Sequence, residues 1–192
     1  MDYTVLIRKC GKTVSESPLL VPIGVSKNEN VAIHDAVGKV FGRPTFYHLK
    51  IANRPTGTHV RPTARKVAGR IQICDLAGKA KGEERLTRWK HSPGPLEAGK
   101  SADLQQAEDL HPSGIEYYLD IAMKYDEDDE FYTPNNDTAL THPDFRDPKI
   151  AFGKGHYVAR IELAGENVKT TISCRIHNPG KGKPLTLELV MP

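Results

Sequence analysis

The chain lacks most of what announces a function. Its apolar runs are only a few residues long, so no segment is expected to cross a membrane as a helix. The N-terminus, Met-Asp-Tyr-Thr-Val-Leu-Ile-Arg-Lys, has no basic start followed by a long apolar stretch and reads as a first strand, not a signal peptide. There are three cysteines, Cys10, Cys74 and Cys174. An odd, unclustered set does not make a disulfide framework, and free thiols in a reduced, cytoplasmic protein are expected. The one tryptophan, Trp89, reads as a core anchor. Eight histidines are scattered without H-x-x-x-H spacing and a third ligand, so neither a metal centre nor a cofactor is expected. No G-x-S-x-G elbow occurs, and no cysteine sits in a recognisable catalytic context. Neighbouring acids such as Glu83-Glu84 and Asp128-Asp129 are sent by a strand to opposite faces. The sequence therefore points away from an enzyme, and it contains no internal repeat.

What is present is alternation. With 192 residues, 38% hydrophobic and 27% charged, the chain suits one soluble domain over residues 1–192. The clearest stretch runs from Gly155 to Val190. Tyr157, Ala159, Ile161 and Leu163 alternate with His156, Arg160 and Glu162. After the turn Gly165-Glu166-Asn167, Ile172, Cys174 and Ile176 alternate with polar partners. After Asn178–Pro184, Leu185, Leu187 and Leu189 do the same. Three period-two segments joined by turn residues predict an antiparallel meander with one buried face.

Further strands are expected at Tyr3–Ile7, at Leu19–Val25 (an edge strand, because Pro22 cannot donate to a ladder), at Thr45–Ala52, Ala64–Cys74, Leu86–His91 and Gly114–Tyr125. Gly69 reads as a bulge. Asn30–Phe41 carries a helix-like spacing of Ile33, Val37 and Val40, with Asn30 as its cap. Ser101–Leu110 fits either a helix or an extended segment. Asp126–Ile150 shows no apolar period and reads as a long acidic surface loop. The sum is an all-β antiparallel sandwich of about eight or nine strands with one or two short helices. Tyr47–Ile51 and Val67–Ile73 are expected to form the sheet that faces the meander. In general character the pattern resembles an immunoglobulin-like or prealbumin-like sandwich, although the Cys-Trp-Cys framework of antibody domains is absent.

The net charge of +3 conceals an uneven distribution. Lys50–Lys90 holds eleven bases and three acids; Glu108–Asp147 holds twelve acids and two bases, Lys124 and Arg146. Because sandwich loops gather at the sheet ends and carry function, the sequence reads as a non-catalytic interaction module for another protein. Its contact residues are expected at Arg54, His59, Arg61 and Arg65 and at Asp126, Asp128, Asp129 and Glu130. Two other readings compete. Gly94-Pro95-Leu96-Glu97-Ala98-Gly99-Lys100-Ser101 fits G-x-x-x-x-G-K-[ST], in which Gly94, Gly99, Lys100 and Ser101 would hold a nucleotide phosphate and its magnesium. The flanking chain, however, lacks the βα alternation such a loop needs. The basic segment 54–90 could instead track the phosphates of a nucleic acid. The acidic run lacks the glycine and the closing glutamate of a calcium loop.

Overall fold

The computed structural model describes residues 17–34, 38–54, 62–91 and 107–190. Among these residues the strands are, in chain order, β1 (Leu20–Asn28), β2 (Ile33–His34), β3 (Val40–Gly42), β4 (Thr45–Asn53), β5 (Ala64–Cys74), β6 (Arg85–Leu86), β7 (Arg88–Trp89), β8 (Glu108–Leu110), β9 (Tyr117–Lys124), β10 (Phe131–Tyr132), β11 (Ala151–Phe152), β12 (Gly155–Ala164), β13 (Lys169–Asn178) and β14 (Thr186–Val190); a short α-helix, α1, spans Asn136–Thr141. Among the described residues they form two six-stranded antiparallel sheets, while β2 and β3 pair only with each other. The first runs β1-β4-β9-β10-β11, with β7 added against β9. The second runs β14-β13-β12-β5-β6, with β8 added against β5. The sandwich expected from period-two alternation is thus present.

The core between the sheets follows from that alternation. Tyr47, Leu49 and Ile51 of β4 and Leu119 and Ile121 of β9 meet Val67, Ile71 and Ile73 of β5 and Ala159, Ile161 and Leu163 of β12. Trp89 is the anchor its strand position implies: it is 2% exposed, and its indole N–H donates to the Val67 carbonyl at 3.0 Å. The meander forms as read, with β12 paired to β13 over ten residues and β13 to β14 over five. Pro22 lies in an edge strand, at a register shift between Pro22 and Gly24, where its missing N–H costs nothing.

The structure departs from the sequence reading at five places. Strand β5 does not face the meander but joins it, pairing with β12 from Ala68 to Cys74; only Tyr47–Ile51 belongs to the facing sheet. Alternation fixes which side of a strand is buried, not which sheet it enters. Leu86–His91 is not one strand. Arg85–Leu86 pairs in the second sheet and Arg88–Trp89 in the first, so the chain changes sheet at Thr87. Asn30 caps no helix: it sits at φ 54°, outside the extended region a cap requires, and the segment makes the short β2-β3 pair. Gly69 marks no bulge, since it pairs in regular register with Leu163. It marks a close approach instead.

The fifth departure is the largest. Asp126–Ile150 is no surface loop. Phe131 through Asn136 are buried throughout, and the segment contains β10, α1 and a 3-10 turn at Pro148–Ile150. It folds as a strap over the outer face of the first sheet. There Phe46 and Met123 pack with Tyr125, Tyr132, Ala139, Phe145 and Ile150 into a second apolar cluster. A strap that packs through scattered aromatics needs no period, which is why none is visible.

The fit at Gly69 can be measured. A Cβ there would lie 2.5 Å from Thr87 Oγ1 and 3.0 Å from both Leu119 methyls. Gly69→Ala is expected to cost about 1–3 kcal/mol, read as a lower denaturant midpoint. An unchanged midpoint would mean that the sheets do not close this tightly at Leu119.

Candidate functional site

Those of the residues singled out from the sequence that are described fall into two groups that do not meet. Arg54 follows β4, and Arg65 lies near the start of β5, where its amide N–H is held by Asn167 Oδ1 at 3.0 Å. Both side chains are exposed. The acidic turn 126–130 follows β9, at the opposite end of the sandwich, because β4 and β9 run antiparallel with Thr45 opposite Lys124 and Ile51 opposite Tyr117. His59, Arg61, Gly94, Gly99, Lys100 and Ser101 lie outside the described residues, as do the first strand at Tyr3–Ile7 and most of Ser101–Leu110.

The acidic turn is held from three sides. Arg146 is the first support. Its Nε donates to Asp128 Oδ2 at 2.9 Å, one terminal nitrogen reaches Asp128 Oδ1 at 3.2 Å and the same nitrogen reaches Glu127. This is the planar fork that suits a carboxylate. The guanidinium lies 3.8 Å from the Tyr125 ring centroid, and the Tyr132 hydroxyl donates to Asp128 at 2.9 Å. Burial pushes the Tyr125 and Tyr132 hydroxyls upward in pKa, so both stay protonated and able to donate. Lys124 is the second support. It is 2% exposed, and its Nζ donates to the carbonyls of Asp128 at 2.9 Å and Glu130 at 3.4 Å. Desolvation lowers its pKa, and the surrounding carboxylates oppose that shift. The third support is the turn after β13. Asn178 donates to the Asp129 carbonyl at 2.8 Å, the Lys181 amide to Asp129 Oδ1 at 2.9 Å and the Gly182 amide to the Asp126 carbonyl at 2.7 Å. Lys154 adds an ion pair to Asp129 at 3.1 Å.

This bracing shifts the carboxylates in one direction. A backbone hydrogen bond, chiefly, and the Arg146 guanidinium lower the pKa of Glu127; the Lys181 amide and then Lys154 lower that of Asp129. Carboxylates depressed in the folded state contribute stability at neutral pH and lose it only as pH falls through their folded pKa values, below about pH 4. The side-chain carboxylates of Asp126 and Glu130 make no hydrogen bond or ion pair among the described residues and remain available. No group of three or more histidine, cysteine or acidic residues that could hold a metal occurs among the described residues, and Asp128 and Asp129 are already occupied by cations.

The basic segment does not form one surface. Arg70 faces outward from the second sheet and pairs with Glu84 at 3.3 Å, Lys81 pairs with Asp75 at 3.3 Å and Lys66 with Glu166 at 2.7 Å. Arg88 instead belongs to the first sheet. There it completes a polar row that the sequence reading missed. In register across four strands stand Ser26, His48, Asp120 and Arg88. His48 Nδ1 lies 2.7 Å from Asp120 Oδ1, and Arg88 Nε lies 3.2 Å from Asp120 Oδ2. A hydroxyl, an imidazole and a carboxylate in sequence suggest acyl-transfer chemistry. The Ser26 hydroxyl and His48 Nε2 are nevertheless both buried and make no hydrogen bond among the described residues, and His48 and Asp120 are 2% and 3% exposed. The row is a closed seam under the strap, where Arg88 also lies 5.9 Å from the Phe145 ring. The signal was a lone acid in the apolar run Tyr-Tyr-Leu-Asp-Ile-Ala-Met.

Beside the strap, a cleft of about 650 Å³ is lined by Arg85 and Lys149 and by Glu83, Asp137 and Asp147; its charges largely offset one another. Compared with known protein families, curated proteins and solved structures, the chain matches none.

The seam makes a sharp test. Asp120→Ala leaves the partly buried Arg88 guanidinium and the buried His48 imidazole without the carboxylate they share and should cost about 3–5 kcal/mol, measured by chemical denaturation. A loss under about 1 kcal/mol would mean that solvent, not the carboxylate, neutralises Arg88.

Proposed function

We propose that the protein is a non-catalytic interaction module that captures another protein through its end loops, with the acidic turn 126–130 as the contact surface. The observation that carries this reading is the bracing of that turn. Arg146, Lys124 and the Asn178–Gly182 turn fix its backbone, while Asp126 is exposed and Glu130 partly so, with both carboxylates uncommitted. A loop already ordered pays less entropy on binding, and uncompensated carboxylates on a rigid tip suit a partner with a basic surface. Arg54 and Arg65, at the far end, would serve a separate contact.

The chemistry elsewhere fits a binding role. The closed seam offers no reacting atom to a substrate. Cys74 and Cys174 are free and buried, and burial pushes the Cys174 thiol up to about 12, which leaves it unreactive. Free thiols agree with a reducing, cytoplasmic setting. The architecture, of immunoglobulin-like or prealbumin-like character, presents loops at both ends, as binding sandwiches do.

The test separates charge from folding. Asp126→Asn with Glu130→Gln keeps size and leaves the three supports intact. The pair should abolish most partner capture from native lysate at low salt and leave the melting temperature essentially unchanged. Capture by the wild type should weaken as salt is raised. Undiminished capture by the variant would dismiss the acidic turn as the contact.

A further inference from the structure

A second chemistry lies on the outer face of the other sheet. His156 of β12 and His177 of β13 are directly opposite in register, so their Cβ atoms are about 4.5–5.5 Å apart. Their rings lie parallel, with centroids 4.2 Å apart and planes within 3°. His156 is exposed and His177 half-buried. Apart from this stacking, neither ring makes a hydrogen bond or ion pair among the described residues. A cleft of about 270 Å³ opens over the pair, lined also by Tyr157, Arg175, Thr186 and Glu188.

We propose that His156 and His177 form a two-nitrogen chelate for a late first-row divalent ion, Cu(II) above Ni(II) and Zn(II). Two imidazoles bound to one ion at about 2.0–2.1 Å place their nitrogens about 3 Å apart. Opposed strand positions already bring the rings close to that separation, and the soft ring torsion of histidine turns the lone pairs from parallel to convergent. The paired backbones of β12 and β13 fix both Cβ atoms, so the chelate is preorganised. The cleft leaves room for waters on the remaining coordination positions. Among the described residues no third histidine, cysteine or carboxylate completes the set. Glu188 faces Arg175, one diagonal step from His177, and reaches the ion only through water. An open site with two neutral nitrogens selects by the general affinity order, which peaks at copper.

The inference is independent of the acidic turn, and its test is direct. Cu(II), Ni(II) and Zn(II) are titrated into untagged protein by calorimetry, and the Cu(II) complex is examined by electron spin resonance. One Cu(II) site tighter than the Ni(II) and Zn(II) sites is expected, with hyperfine coupling to two imidazole nitrogens. His156→Ala or His177→Ala should each weaken it by about tenfold or more and reduce the coupling to one nitrogen. Both side chains lie on the outer face, so neither change removes core. His111→Ala, at another exposed histidine, should change nothing. Wild-type affinity in either alanine variant, or an equal loss with His111→Ala, would overturn the assignment.

Discussion

Strands β4 and β9 are buried on both faces, and this constraint shapes the rest of the molecule. A sheet apolar on one side needs one covering layer; a sheet apolar on both needs two. Tyr47, Leu49 and Leu119 turn toward the second sheet, while Phe46 and Met123 turn away from it. The strap exists to cover that second side. Its aromatics Tyr132 and Phe145 meet Phe46 and Met123, the Phe46 and Phe145 rings contacting edge to face at 6.3 Å. The protein is therefore a sandwich with a partial third layer.

The electrostatics follow from this covering. Laying a strap across the sheet would bury the polar groups already on that face, and burial of a lone charge is costly. The seam meets this with complementary neighbours: Asp120 takes contacts from His48 on one side and Arg88 on the other. The acidic turn applies the same rule at the rim. Asp128 is partly buried and its carboxylate receives the Arg146 fork and the Tyr132 hydroxyl, whereas the Asp126 carboxylate, in water, receives no partner among the described residues. The Asp126 carboxylate at the exposed end of the turn stays free to act outward.

Much of the architecture was legible in the amino-acid order, since period-two alternation reports burial on one face directly. It gave β4, β5, β9 and the meander, the edge position of Pro22 and the anchoring of Trp89. It missed the sheet membership of β5, because pairing partners are a long-range choice that leaves no local trace. It misread the strap for a related reason: Tyr132, Phe145 and Ile150 reach one cluster from three different local conformations, and no single period describes them. The acidic turn was visible as charge, yet its bracing was not. The only two bases in the acidic stretch, Lys124 and Arg146, proved to be the side chains that hold it, a hint available in the composition alone. The opposed histidines were visible only once the register of β12 and β13 was known, since 21 residues of sequence spacing conceal a direct contact.

The change of sheet at Thr87 has a consequence for observing the molecule. Arg85–Leu86 belongs to one layer and Arg88–Trp89 to the other, and the indole of Trp89 reaches back to the Val67 carbonyl of the layer its own strand does not join. The ring reaches its buried position only when both layers are assembled face to face. As the chain's single tryptophan, it makes intrinsic fluorescence a gauge of the union of the two layers, blind to the formation of either one alone.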